Sequence, residues 1–142
     1  MTTAQPSAFW ADLAEDLKDP EFLRAYIVES MRIATVDAVI SGLDDAREAA
    51  GMTKAALARA IGSNPDAIRR LLTNGSANPT FNTIVEAAAA LGMRVTLEPL
   101  PANERKQITE PLIRGEHSDP AALAEHLTHL RRSGRTKTAA LV

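Results

Sequence analysis

The stretch MTKAALARAIGSNPDAIRRLLTNG, residues 52–75, starts and stops helices so often that it can fold only as two short helices joined by a tight turn. Thr53 carries a hydroxyl able to accept from the backbone N–H groups left unpaired at a helix start, and it caps a run from Lys54 to Ile61. Gly62 ends that run, because glycine enters the left-handed backbone region at little cost. Ser63 or Asn64 caps the next helix, with Pro65 in its first turn, where a missing N–H is no loss. This second helix extends to about Thr73 and is closed by Asn74-Gly75.

Apolar residues at three- and four-residue spacing extend helices to either side. Phe9, Trp10, Leu13 and Leu17 form one short amphipathic set among Asp12, Glu15 and Asp16. Asp19-Pro20-Glu21 then opens a helix by a cap, a first-turn proline and a charge that suits the helix dipole. Phe22, Leu23, Tyr26 and Ile27 share one face, and Val36, Val39, Ile40, Leu43, Ala46 and Ala50 continue the period to Gly51. The pattern is compatible with one helix over 21–50 or with two that meet near Thr35. After Pro79-Thr80 a further helix is expected to turn Phe81, Ile84, Val85, Ala88 and Leu91 inward and to end at Gly92.

The period then changes. Met93-Arg94-Val95-Thr96-Leu97-Glu98 alternates apolar with polar residues, so a short strand is expected, closed by Pro99 and Pro101. A lone strand needs a ladder partner, and in a small homo-oligomer its symmetry mate can be that partner, which would put Val95, Thr96 and Leu97 at a dimer contact. Ser118-Asp119-Pro120 starts a last helix with Leu123, Leu127 and Leu130 on one face, expected to stop near Gly134 and leave a mobile tail. The expected fold class is therefore all-α. A four- to five-helix domain over 36–98 ends in one short strand, an acidic helical extension covers 1–35, and a C-terminal extension with one helix covers 99–142.

The chain has no cysteine, which excludes disulfides, thiolate metal sites and thiol nucleophiles. The opening MTTAQPSAFW lacks the basic and apolar regions of a secretion signal, and no run approaches the roughly 20 apolar residues that span a bilayer, so a cytoplasmic protein is expected. A net charge of −2 looks unsuited to a nucleic-acid partner until it is divided along the chain. Residues 1–50 hold ten acidic and four basic side chains, residues 51–98 three and five, and residues 99–142 five and seven. The local field at a docking face governs phosphate contact, and the acidity is concentrated at the front.

Two short helices, with the small Ala58 inside the first and Gly62 between them, meet the demands of a helix-turn-helix, whose second helix enters the DNA major groove. Leu57 and Ile61 would then pack on Ile68 and Leu71. Ser63, Asn64, Asp66, Arg69, Arg70 and Thr73 are left on the outer side. Arg can engage guanine bidentately, Asn can pair with adenine and Asp can accept from cytosine. Thr53, Lys54 and Asn74 are placed to grip phosphates. The plainer account of Asp66 and Arg70 is an i,i+4 surface pair worth about 0.3 kcal/mol.

Other constellations point to no reaction. His126 and His129 lie one turn apart, with His117 and Glu125 near in sequence, but a zinc enzyme would need a third ligand and a general base around an open position. The carboxylates over 12–21 have no evident pocket, and no Gly-rich phosphate loop or Ser/His/Asp arrangement occurs. No catalytic residue, metal or cofactor is therefore expected. Phe9, Trp10, Phe22 and Tyr26 concentrate the aromatic content in the acidic front. They either close a small core or anchor a contact with a partner, and the surrounding carboxylates suit a basic protein.

The order M-T-K, L-A, G-S, I-R-R-L, N-G, the spaced Pro79 and A-L-G, over about residues 36–92, resembles the phage-repressor-like (XRE) helix-turn-helix family. Lys54 stands where that family commonly has Gln, Leu72 and Thr73 near its usual Ser-x-x-Glu, and Pro65 where many members carry a base-reading side chain. With DLKDPEFLRAY before and MRVTLEP after, the chain is most similar to HigA-type antitoxins of toxin–antitoxin operons. The resemblance implies a homodimer that represses its own operon and neutralises a RelE-like endoribonuclease toxin. Two reading helices about 34 Å apart would favour a palindromic site on double-stranded DNA. A plain transcription factor without a toxin fits the same motif, as does a protein-interaction adaptor that keeps the shape without DNA affinity.

Overall fold

The computed structural model describes residues 4–73 and 78–140, with side chains over 8–73 and 78–133. Among the described residues are eight helices: α1 (Ala4–Asp16), α2 (Pro20–Ala49), α3 (Lys54–Ala60), α4 (Pro65–Thr73), α5 (Phe81–Ala90), α6 (Ala102–Gln107), α7 (Thr109–Arg114) and α8 (Pro120–Ala140). They sort into two compact units, a central one around Thr35–Leu97 and a terminal one built from the residues before Thr35 and from Glu98–Ser133. The boundary falls inside α2, which is one helix rather than two. Thr35 costs only a few tenths of a kcal/mol in a helix, roughly, and no Gly or Pro interrupts its neighbourhood.

The central unit encloses Ile40, Leu43, Leu57, Ala58, Ile68, Leu71, Leu72, Ile84, Ala87 and Ala88, with Val36, Met52, Ile61 and Leu91 packed at its margin. Its helices begin where side chains accept backbone donors. Thr53 Oγ1 accepts from the Ala56 N–H at 3.0 Å, and Thr80 Oγ1 from the Thr83 N–H at 3.2 Å. α3 ends as a Schellman turn: Gly62 has φ +68°, its N–H donates to the Arg59 carbonyl at 3.2 Å, and the Ser63 N–H donates to the Ala58 carbonyl at 2.7 Å. Arg47 donates to Asp44 Oδ1 at 2.9 Å and to the Met52 carbonyl at 2.8 Å, which ties the end of α2 to the turn before α3.

Two expectations for this unit are corrected. Phe81 and Val85 face outward, 68% and 41% exposed, while Ile84, Ala87 and Ala88 form the inner row of α5. The two small alanines let this helix approach the core closely, and that fixes its rotation with Phe81 on the outer flank. The expected strand at Met93–Glu98 does not form, and no strand occurs among the described residues. A single strand has no ladder within one chain, so its backbone groups stay with solvent.

The terminal unit buries Leu13, Leu17, Leu23, Ile27, Ile108, Leu123, Ala124 and Leu127. An Asp precedes a first-turn Pro at the start of α2 and of α8. Asp19 Oδ2 accepts from the Phe22 N–H at 3.4 Å and Asp119 Oδ1 from the Ala122 N–H at 3.2 Å. Arg131 lies 4.5 Å over the Tyr26 ring and donates from Nε to the hydroxyl of the fully buried Ser30 at 2.9 Å. Arg24 donates to the Leu112 and Ile113 carbonyls, at 2.9 and 3.2 Å, and so satisfies the end of α7.

Here too the helices differ from expectation. α6 and α7 form between Pro101 and Gly115, where no helix was expected, and Pro111 sits in the first turn of α7, where it is tolerated rather than breaking it. α8 continues through Gly134 to Ala140. An interior glycine costs about 1 kcal/mol relative to alanine and does not by itself end a helix.

Candidate nucleic-acid interface

α4 is divided lengthwise. Ile68, Leu71 and Leu72 are buried, whereas Asn64, Asp66, Arg69, Arg70 and Thr73 are exposed and Ser63 is half-buried. Burial of the apolar row fixes the rotation of the helix, and that rotation turns Asp66, Arg69, Arg70 and Thr73 to the surface. Leu72, near the family's usual Ser-x-x-Glu, belongs to the core.

Hydrogen bonding then ranks the exposed groups. Asn64 Oδ1 accepts from the Asp66 N–H at 2.7 Å, so Asn64, not Ser63, is the capping residue of α4. Bidentate pairing with adenine needs both amide atoms, and this cap engages one lone pair of the oxygen and fixes its direction. Asp66 forms its ion pair with Arg69, three residues on, instead of with Arg70. The Thr73 hydroxyl donates to the Arg69 carbonyl. Arg70 makes no ion pair among the described residues, which leaves it more available to a base or phosphate than Arg69.

Thr53 keeps capacity for a second partner. Its oxygen accepts from Ala56, and its O–H remains able to donate to a phosphate. Lys54, half-buried, is the first residue of α3. Asn74 lies outside the described residues.

A groove of about 340 Å³ beside α4 is lined by Ser63, Ala67, Ile68, Arg70, Leu71, Asn78, Pro79 and Thr83. It adds Asn78 and Thr83 to the candidate site. Both stand in or near Asn78-Pro79-Thr80, where the sequence signals only a helix start, so nothing local marked them as neighbours of Arg70.

The remaining sequence-derived candidates lie apart from α4. Val95 and Leu97 are 43% and 97% exposed, and Thr96 between them is exposed as well. Of the four front aromatics, Trp10, Phe22 and Tyr26 pack against the terminal core, with Phe22 stacked on Tyr26 at 5.7 Å. Phe9 is 56% exposed and meets Trp10 edge-on at 5.3 Å. Both ring nitrogens of His117 are engaged, Nε2 with Gln107 Oε1 and Nδ1 with the Asp119 N–H, each at 2.9 Å. Among the described residues no group of three or more His, Asp or Glu side chains is arranged to hold a metal ion.

Residues 43–97 match a protein-family model described as Helix-turn-helix, a range that takes in the end of α2, all of α3, α4 and α5, and the exposed segment after Gly92. The fold and this match define a helix-turn-helix module carried within a longer chain. Over 87 residues the chain is 28% identical to an uncharacterized protein of Haemophilus influenzae, covering 61% of this chain and 87% of that protein. No solved structure matches. Among the described residues no helix is long and apolar enough to cross a membrane.

Proposed function

We propose that this chain is a sequence-specific DNA-binding transcriptional repressor of the XRE type, with α4 as the helix that enters the major groove. One observation carries this reading: α4 buries Ile68, Leu71 and Leu72 in the core of the matched module and leaves Asp66, Arg69, Arg70 and Thr73 outside. Arg70 reads a guanine edge or holds a phosphate. Arg69 joins it once its exposed pair with Asp66 opens, and such pairs are worth only about 0–1 kcal/mol. Thr53, Lys54, Ser63 and Asn74 position the module through the backbone, and Asn78 and Thr83 extend that contact along the groove beside Arg70.

In this reading the protein acts as a homodimer on a palindromic operator. It is an antitoxin that represses its own operon and neutralises a RelE-like endoribonuclease, supported by the flanking DLKDPEFLRAY and MRVTLEP segments. The exposed Phe9 with Asp12, Glu15 and Asp16 on α1 is the surface offered to a basic toxin.

A mobility-shift titration of the purified chain on its own upstream promoter, against an unrelated duplex and across a salt series, tests the DNA reading. Saturable, salt-sensitive preference for the promoter is expected. Equal affinity for both duplexes, or none at low salt, would overturn it in favour of a protein adaptor. Co-expression with the neighbouring open reading frame tests the toxin. Failure to relieve growth arrest would leave a transcription factor without one.

A further inference from the structure

The segment after Gly92 is unusual for an exposed stretch. Met93, Val95 and Leu97 are 46%, 43% and 97% exposed, and the residues between them are the polar Arg94, Thr96 and Glu98. Among the described residues, no backbone hydrogen bond engages the N–H groups of Arg94–Glu98, and neither Arg94 nor Glu98 is in an ion pair.

We propose that Arg94–Glu98 pairs antiparallel with the same segment of a second copy, in the register centred on Thr96. This rests on the homodimer reading above and specifies its contact. In that register Thr96 faces Thr96, Val95 faces Leu97 of the second copy, and Arg94 faces Glu98 of the second copy, each of the last two pairs occurring twice by symmetry. Charges directly opposite across a strand pair attract when unlike and destabilise when alike, so this register neutralises all four.

Neighbouring registers do not. A slip by one residue sets apolar side chains against polar ones and turns the row to the wrong face. Centring on Val95 puts Arg94 opposite Thr96, and centring on Leu97 puts Glu98 opposite Thr96, so both separate the charges. The backbone sets the same limits. Pro99 has no N–H to donate, and the residue it would face is Met93, whose N–H is already given to the Ala88 carbonyl at 2.7 Å. Both ends of the ladder therefore stop together. A two-stranded ribbon also needs cover for its apolar face, and Phe81 and Val85, one turn apart on α5 and exposed, supply apolar surface in the central unit.

The natural absence of cysteine makes the register directly readable in the full chain. Under oxidation Thr96→Cys should form a disulfide-linked dimer. Val95→Cys and Leu97→Cys should link poorly alone and well when mixed. In sedimentation analysis Arg94→Glu and Glu98→Arg should each weaken the dimer about tenfold or more, and the double variant should regain it. Circular dichroism should stay unchanged, because all five positions are surface positions. A dimer that links at another position, or that the double variant fails to restore, overturns this register and leaves the homodimer standing. A chain that stays monomeric at all concentrations overturns both, and DNA binding measured on the same sample shows whether the repressor reading survives.

Discussion

Asp66 and Arg69, one turn apart on α4, are ion-paired with each other, while Arg70, the next residue, has no ion pair among the described residues. The two arginines of one dipeptide are therefore unequal before DNA arrives.

Arg70→Ala should lower promoter affinity about 10- to 100-fold, the cost of one good base contact. Arg69→Ala should cost less, because binding must first open its pair with Asp66. Asp66→Ala should raise affinity for unrelated DNA by freeing that cation. Fluorescence anisotropy on promoter and unrelated duplexes measures all three, and a larger loss at Arg69 than at Arg70 would reverse the ranking.

The boundaries of α3 have separable energies. Thr53→Ala removes the acceptor for the Ala56 N–H and should destabilise the fold by about 1 kcal/mol. Gly62→Ala meets no atom within 4 Å of the added carbon, so its cost is the left-handed backbone alone, about 1–2 kcal/mol. Urea unfolding monitored by circular dichroism gives both values. No loss at Gly62 would mean the turn relaxes to another conformation.

Arg131 joins two distant parts of the terminal unit. Arg131→Ala should cost about 2 kcal/mol, because it removes the cation from Tyr26 and leaves the Ser30 hydroxyl buried without that donor. Arg131→Lys should fall between, since the cation returns without the guanidinium geometry. Denaturant midpoints of the three proteins test the order.

His126 gives stability a pH dependence. Its Nε2 is buried without a hydrogen-bond partner among the described residues although the ring is partly exposed. Burial holds its pKa below the usual 6.5, and nearby His129 and His117 act in the same direction, against the pull of Glu104. The folded chain thus binds this proton more weakly than the unfolded chain. Its stability should fall as pH drops below about 6.5 and level off once pH is below the folded value. Urea midpoints at about pH 7.5 and about pH 5.5 should differ less in His126→Gln than in the parent. Equal differences would assign the slope to other groups.

Helix boundaries were legible because their chemistry spans a few residues. Thr53, Gly62, Asn64-Pro65, Asp19-Pro20 and Asp119-Pro120 act on backbone groups two to five positions away, and each occupies the boundary that its residue type prescribes. The outer row of α4 was legible for the same reason, since its period follows from Ile68 and Leu71. The short α6 and α7 were not. α6 buries no residue, so no apolar period announces it, and Pro111 resembles a breaker.

By itself, then, the sequence determined where most helices begin and end and which side of α4 is polar. Tertiary structure decided that α5 turns Phe81 outward, that Asn78 and Thr83 line a groove with Arg70, and that Arg131 reaches Ser30 across 101 positions. Caps and turns are short-range hydrogen bonds, and residue type is enough to specify them. The rotation of a helix and the neighbours of a side chain are set by how several apolar faces fill one core together, a condition no local pattern contains.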